Sequence, residues 1–474
     1  MAKGLVWFRT DLRLDDNPAL NAALGKYEEV IAIYIFSQSQ WESHNESNIK
    51  HEFLINNLIL LKESLEHLGI PLIAINTESY KTLPKDLSSF CADQKIEHVF
   101  WNNEFGLNEA GRDLASKQTL SKISIESSSY NDQVVYEPGF LKTGQGKPFS
   151  VFTPFKRRWV ENFDMNFLDI DKPSKLKKIS STQGEISNLK FTKTHSANID
   201  LWPAGESAAK EKLKNFLQYK AQSYSSSRNS PIIDGTSRIS PYLALGVLSP
   251  KRCILEGLKL NNFEFTSGNK GICKWIDEII WREFYRNIMH SFPKVSQNRP
   301  FQDYTNSIKW RHSDKELEAF YAGNTGFPIV DAGIRQMLAE GWMHNRLRMV
   351  VAMFFTKNML HDWRLGEKFF MQHLIDGDFS SNNGGWQWSS STGTDSAPYF
   401  RIFNPITQSQ NFDSDGEFIK KFIPELKDVP AAQIHQPKDD LFSSTNYPEP
   451  ILDLKESRLR AIQAFKDARE VSGI

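Results

Sequence analysis

Four short apolar runs fall within the first hundred or so residues: LVWF (5–8), VIAIYIF (30–36), PLIAI (71–75) and HVFW (98–101). Between them, 49–68 and 107–119 carry apolar residues at helical spacing. Runs this continuous belong to strands buried on both faces, and the intervals between them are long enough for crossover helices. Strand–helix alternation of this kind constrains the fold more than any other feature here. It predicts a doubly wound, Rossmann-like parallel sheet, an α/β domain over 1–130. The turn after the first run reads FRTDLRLDDN, with no GxGxxG, so the usual pyrophosphate argument does not support a dinucleotide there.

The remainder has a different texture. From about 164 to 199 the chain turns to Lys, Ser, Thr and Asn with weak periodicity, which predicts a surface connector within 131–201. Beyond Leu201 strand signals nearly vanish. Helical patterns run over 205–220, 240–258, 271–290, 314–322, 328–340, 342–361 and 366–375, predicting an all-α domain over 202–474. A chain of 474 residues exceeds one ordinary core. Its net charge of +0 excludes an overall cationic field but leaves room for a local basic patch. Three cysteines (Cys91, Cys253, Cys273) without a CxxC pair predict neither a disulfide framework nor a thiolate metal site. The charged start MAKGLVWFRTDLRL and the lack of a long apolar span predict a cytoplasmic protein without membrane contact.

The chain has 12 tryptophans, crowded toward the C-terminal half. In DGTSRISPYLALG, Thr236, Ser237, Arg238 and Ser240 precede a predicted helix start, with Tyr224 and Arg228 upstream in YSSSR. A phosphate seat and an ordinary capping run both fit that pattern. In GICKWIDEIIWREFYR, helical spacing puts Glu278 on one face with Trp275, Trp281 and Arg282. That face is either a core helix with an internal ion pair or the wall of a cavity for a planar ligand. In GWMHNRLRM, Trp342, Asn345 and Met349 share a face with Arg346 and Arg348 beside them, and His344 lacks a metal-spaced partner. Finally, DGDFSSNNGGWQWSSSTGTD (376–395) has the composition of a polar connector yet carries Trp386 and Trp388. Aromatic planes with amide or carboxylate edges suit bases and a large planar cofactor. No GxSxG, HExxH or Walker motif points to hydrolysis.

Together FRTDLRLDDNPAL, TSRIS, WIDEIIWREFYR, GWMHNRLRM, DWRLGE and DGDFSSNNGGWQWSSSTGTDSAPYFRIFNP resemble the photolyase/cryptochrome family, and within it bacterial class I cyclobutane pyrimidine dimer photolyases. The resemblance implies light-driven repair of pyrimidine dimers by a monomeric enzyme that binds damaged DNA, single- or double-stranded, and holds FAD in the helical domain and an antenna chromophore in the α/β domain. It assigns FAD to Tyr224, Thr236, Ser237, Arg238, Ile239, Ser240, Trp275, Glu278, Arg282, Trp342, Asn345, Arg348, Asp376, Gly377, Asp378 and Asn382. Asn382 would face the flavin's central ring nitrogen, with Gly384 and Gly385 turning the backbone past the ring. Trp386, Trp363 and Trp310 would relay electrons toward the surface. Arg228, Glu278, Trp281, Asn345, Arg346, Met349 and Trp388 would meet the DNA or its lesion.

The resemblance also separates the alternatives. A (6-4) photolyase needs histidines in its lesion pocket, where this chain has Asn345 and Met349. A cryptochrome photoreceptor often replaces the residue matching Asn382, and DASH cryptochromes usually alter the one matching Trp388. His44, Asn108 and Glu109 match residues that hold methenyltetrahydrofolate as antenna. Ser296 and Gln297, however, stand where folate-type members carry a Cys-Lys pair.

Overall fold

The computed structural model describes residues 2–168, 170, 172–176, 182–187, 189, 194–437 and 446–473. They group into two compact units. One comprises Met1–Thr194, Ile199–Gln222 and Ser237–Pro293; the other comprises His195–Asn198, Ser223–Thr236 and Lys294–Ile474.

The first unit is built on five parallel strands, β1 (Lys3–Phe8), β2 (Glu29–Ser37), β3 (Leu72–Thr77), β4 (Ile96–Asn102) and β5 (Glu126–Tyr130), in the order β3-β2-β1-β4-β5. Leu5 pairs with Ile31 on one side and Val99 on the other, and β2 is buried at every position, as two-sided coverage requires. The four apolar runs are thus strands β1 to β4, of which β1, β2 and β4 are inner and β3 is an edge. β5, the other edge strand, reads ESSSY and carries no apolar run.

The turn that lacks a glycine fingerprint is filled by its own charges. Asp11 accepts from the Arg9 N–H (2.6 Å) and from Asn102 Nδ2 (2.6 Å), and burial pushes its carboxyl up to about 6. Arg13 donates to Asp132 Oδ2 (3.1 Å) and to the Gly246 carbonyl (3.0 Å). Asn17 caps the helix Pro18–Lys26 by accepting from the Leu20 N–H.

Gly246 also interrupts the helix expected over 240–258, which is two helices, Ser240–Ala244 and Pro250–Leu260. Its φ of 64° needs the left-handed region, and a Cβ there would overlap the Thr10 carbonyl. Ser249 then caps the second helix, with Pro250 at its first position.

Within the expected connector, 131–201, residues Phe152–Glu161 form a helix rather than a connector, and Glu185 lies at the β3 edge, where the Ala74 N–H donates to its carbonyl (2.7 Å). Residues 169, 171, 177–181, 188 and 190–193 of it lie outside the described residues.

The second unit contains no strand among its described residues. Its apolar core joins Phe320, Val330, Leu347, Phe355, Trp363, Phe370 and Trp386. Asp331 anchors a loop within it, accepting from the Thr325 N–H (2.8 Å), the Gly326 N–H (3.1 Å) and the Tyr447 hydroxyl.

Two expectations need correction here. The helix expected over 342–361 starts at Asn345, after Gly341 ends the preceding helix in a left-handed turn. At Met353 it passes into a π turn, Phe354–Asn358. The stretch 376–395, polar enough to read as a connector, forms the helix Phe379–Ser390, capped by Asp378 accepting from the Ser381 N–H (2.9 Å). Gly384 and Gly385 lie inside that helix rather than at a turn, and a Cβ on Gly385 would meet nothing within 4 Å.

The π turn carries Lys357, fully buried, whose ammonium donates to Ser391 Oγ (2.6 Å) and the Tyr399 carbonyl (3.1 Å) and sits 4.7 Å from the Phe465 ring centre. Burial lowers its pKa from the ordinary 10.5 to about 7.

Two outcomes follow from these positions. Gly246→Ala should cost about 2–4 kcal/mol through backbone strain and overlap, seen as a lower denaturant midpoint at unchanged slope; an unchanged midpoint contradicts the assignment. For Lys357 the unfolded chain binds more protons between about pH 7 and 10.5, so stability rises across that window and is lost as pH falls through about 7. Lys357→Met should flatten that rise and add about 1–4 kcal/mol near neutral pH, measured by denaturation at a series of pH values.

Candidate functional site

In the first unit the helix Lys270–Ser291 starts from Asn269, whose side chain accepts from the Gly271 (2.8 Å) and Ile272 (3.0 Å) N–H groups. It presents Glu278, Trp281 and Arg282 as the spacing predicts. Glu278 is partly exposed, 3.8 Å from Lys274 Nζ. Arg282 donates to the carbonyls of Gln133 (2.5 Å) and Leu243 (3.1 Å). Trp281 stacks on Phe152, centroids 3.7 Å apart and planes within 8°. Trp275 is buried against Phe216, 5.2 Å away. Phe152 carries no sequence signal beyond being aromatic, since its partner lies far along the chain.

Ser237, Arg238, Ile239 and Ser240 also belong to this unit. Ser240 opens a helix of only five residues, so little macrodipole accumulates behind the proposed phosphate seat. Arg238 has a φ of 49° and lies 5.2 Å from the Trp202 ring centre.

The antenna candidates gather beyond the carboxyl ends of β2 and β4, where open α/β sheets bind ligands. His44 Nε2 lies 2.9 Å from Asn108 Nδ2, and Glu109 opens the same Leu107–Lys122 helix as Asn108. Burial, reinforced by Glu104, raises the Glu109 pKa. Glu104, unmarked by the sequence motifs, is opposed by burial but held at about 2 by Arg112 and Arg9.

In the second unit Tyr224 is buried beneath Arg228, whose guanidinium is 5.3 Å from its ring centre, and Thr236 lies at the end of the same segment. His344 caps the helix Asn345–Met353, accepting from the Arg346 N–H (3.2 Å). Asn345 is exposed at its first turn, Met349 is half-buried one turn on, and Trp342 is buried before it. Arg346 donates to Asn229 Oδ1 (2.7 Å). Arg348 donates through Nη2 to both oxygens of buried Asp376 (3.0 and 2.8 Å). Gly377 is buried between Asp376 and the capping Asp378.

Asn382 donates through Nδ2 to the Glu367 carbonyl (3.0 Å) and to Glu367 Oε1 (3.2 Å), leaving Oδ1 as an acceptor with no partner among the described residues. Four residues on, Trp386 is buried between Phe355 (5.7 Å) and Phe370 (4.9 Å), and its Nε1 has no hydrogen-bond partner among the described residues. A Cβ on Gly366 would overlap the Trp386 ring. Trp363 is buried in the same cluster, and Trp310, half-exposed, packs on it and meets Phe465 at 6.3 Å. Trp388 is half-buried.

A neutral acceptor, a buried indole N–H and a carboxylate-held guanidinium in aromatic surroundings fit a large planar ligand with N–H and C=O edges, as FAD has. Glu367 and Gly366, which hold these groups, lay within the quoted DWRLGE, but nothing in that motif by itself reveals their partners. Among the described residues no group of three His, Cys, Asp or Glu side chains is placed to hold a metal ion. No described helix is long and apolar enough to cross a membrane.

Comparison with known proteins finds relatives along nearly the whole chain. The family model for DNA photolyase matches residues 4–175, and that for the FAD binding domain of DNA photolyase matches 275–467. The deoxyribodipyrimidine photo-lyase of Escherichia coli is 40% identical over 474 residues, covering 99% of this chain and 100% of that protein. The crystal structure of a class III photolyase from Agrobacterium tumefaciens superposes with a TM-score of 0.87 at 34% identity, covering 99% of this chain and 98% of that one. A Synechocystis cryptochrome superposes with a TM-score of 0.86 at 25% identity over 98% and 99% of the two chains. This chain belongs to the DNA photolyase family and is one of its FAD-binding enzymes.

Proposed function

We propose that the protein repairs cyclobutane pyrimidine dimers in DNA under blue light. The observation that carries this reading is the set Glu278 and Trp281 on one helix face with Asn382, Trp386 and Trp388 along another helix, in a chain 40% identical to a dimer photo-lyase over its full length. When bound and reduced, FAD supplies a photoexcited electron to the lesion and takes it back once the two cyclobutane bonds have broken.

This chain's own residues bind, orient and exclude water. Asn382 Oδ1 would accept from a ring N–H, and its neutrality avoids repelling an anionic ring as a carboxylate would. Asp376 would keep Arg348 oriented, with Asn345, Trp342, Gly377 and Asp378 flanking the ligand; Tyr224 and Thr236, and from the first unit Ser237 to Ser240, Trp275 and Arg282, would complete its binding. Trp386, Trp363 and Trp310 would carry electrons to oxidised cofactor from outside.

On the substrate side, Trp281 and Trp388 would stack the extruded lesion, each contact worth about 1–3 kcal/mol against an unstacking cost of a few kcal/mol. Glu278 would bond the dimer's edge, Asn345 and Met349 would line it, and Arg228 and Arg346 would meet phosphates. The site acts on the cell's DNA, hence in the cytoplasm at the nucleoid. His44, Asn108 and Glu109 would seat an antenna of methenyltetrahydrofolate type, without the Cys-Lys pair that Ser296 and Gln297 replace.

The likeness to a cryptochrome means that fold alone does not separate repair from light signalling. The lesion-facing residues favour repair, and Asn345 and Met349 disfavour (6-4) lesions.

Repair by prereduced protein, followed as recovery of thymine absorbance in irradiated oligo(dT), tests these roles. Glu278→Ala should lower repair about tenfold with FAD retained, since a hydrogen bond to a charged group is worth about 1.5–3 kcal/mol; loss of FAD instead would show that Glu278 serves the cofactor. Trp310→Phe should block photoreduction of oxidised flavin and spare repair by prereduced protein. An equal loss of both would overturn the relay.

A further inference from the structure

The Lys270–Ser291 helix does not hold Trp281 alone. Phe152 lies flat against one face of its indole at 3.7 Å, while Phe284 meets it edge-on at 5.6 Å and Tyr285 lies at 5.7 Å with its ring tilted by 32°. Phe152 is itself buried, whereas Trp281 keeps part of its surface exposed. An indole has two faces, and Phe152 covers one of them, so a base stacking on Trp281 would take the other.

The element carrying Phe152 is fastened in place. Phe152 is the first residue of the helix Phe152–Glu161, and two carboxylates on the Lys270–Ser291 helix grip that helix further along. Asp277 pairs with Lys156 at 2.5 Å, and Glu283 accepts from Trp159 Nε1 at 2.9 Å. Glu283 also accepts from the N–H groups of Val135 (2.7 Å) and Tyr136 (3.1 Å), and the Tyr136 hydroxyl donates to the Trp159 carbonyl (3.1 Å). Phe155 against Phe284, 5.3 Å apart, fills the space between the grips. Three residues of one helix therefore lock onto the other in register, and Phe152 is set against Trp281 by that register.

We propose that Phe152 is a positioning residue for lesion recognition: it backs Trp281 so that the indole's opposite face receives the damaged base, completing a phenyl–indole–base stack. This rests on the reading of Trp281 as a lesion-stacking residue given above. Fixing the indole in advance removes the ordering cost that a mobile tryptophan would charge to binding, and aromatic pairing adds to the area it buries. The role acts on affinity for the lesion, not on the photochemical step.

The test measures Kd for dimer-containing and undamaged oligonucleotides by fluorescence anisotropy, with repair yield at saturating substrate, in full-length FAD-loaded protein. Phe152→Ala should weaken dimer binding about tenfold, leave undamaged DNA binding unchanged, and confine the loss to Kd rather than to yield at saturation. Phe152→Tyr, which keeps a flat ring, should restore dimer affinity, whereas Phe152→Leu, of similar bulk without one, should not. This pair decides the matter even where the alanine variant fails to fold. Dimer binding by Phe152→Leu equal to that by Phe152→Tyr would overturn the proposal by reducing Phe152 to bulk. Tighter dimer binding by Phe152→Ala would overturn it by showing that Phe152 occupies the base's own place. Trp281→Ala serves as the control on the underlying reading: normal dimer binding by that variant refutes lesion stacking at Trp281 itself, and with it the backing role, whereas weakened binding there combined with wild-type binding by Phe152→Leu refutes only the role of Phe152.

Discussion

The contact between Gly366 and the Trp386 ring sets the geometry on which the second unit's chemistry depends. No side chain fits at position 366, so the helix Trp363–His373 can approach the helix Phe379–Ser390 as closely as an indole against backbone allows. The next residue, Glu367, then meets Asn382, one turn before Trp386. Packing and polar recognition are thus adjacent rungs of one interface. The rung at 366 and 386 is apolar and tight; the rung at 367 and 382 orients an amide by fixing its nitrogen and leaving its oxygen available.

The same division of labour recurs in the first unit. Charged groups there are mostly tied to one another or to backbone, as with Arg13 on Asp132 and Arg112 on Glu104. What remains for a ligand is aromatic surface beside the partly exposed carboxylate of Glu278. Such a surface does little proton transfer, and it suits an enzyme whose cofactor photochemistry provides the driving force while the protein binds and aligns. In the second unit Lys357 stands apart, a buried amine in a π turn whose neighbours are rings, a hydroxyl and a carbonyl.

Much of this was legible in the sequence, and the reasons are physical. Inner strands of a parallel sheet must be apolar on both faces, so β1, β2 and β4 announced themselves; the edge strand β3 is also apolar and was visible, and only the polar edge strand ESSSY stayed silent. Helices with one buried stripe were equally visible. The helix at 379–390 was hidden because its buried residues are Trp386 with Asn383, Gln387, Ser389 and Ser390, a largely polar set that otherwise marks loops. What it packs against, Gly366, is a glycine whose purpose depends on a residue twenty positions away. The break at Gly246 was missed for the same kind of reason: the Thr10 carbonyl that forbids a side chain there comes from the first turn of the chain. Residues marked by local spacing, such as Glu278 and Trp281, could be picked out singly. Residues whose contacts run to long-range partners, such as Phe152, Glu367 and Lys357, could not.

In the proposed reading, light absorbed by reduced FAD splits a pyrimidine dimer held by this chain. The decisive measurement is chromatography of oligonucleotides bearing either a single cyclobutane dimer or a single (6-4) lesion, incubated with prereduced protein in blue light and in darkness. The dimer should return to two intact thymines in the light alone, while the (6-4) lesion stays unchanged. An undiminished dimer after illumination with fully reduced flavin would contradict that reading and leave a flavoprotein of photolyase fold whose light response serves another end.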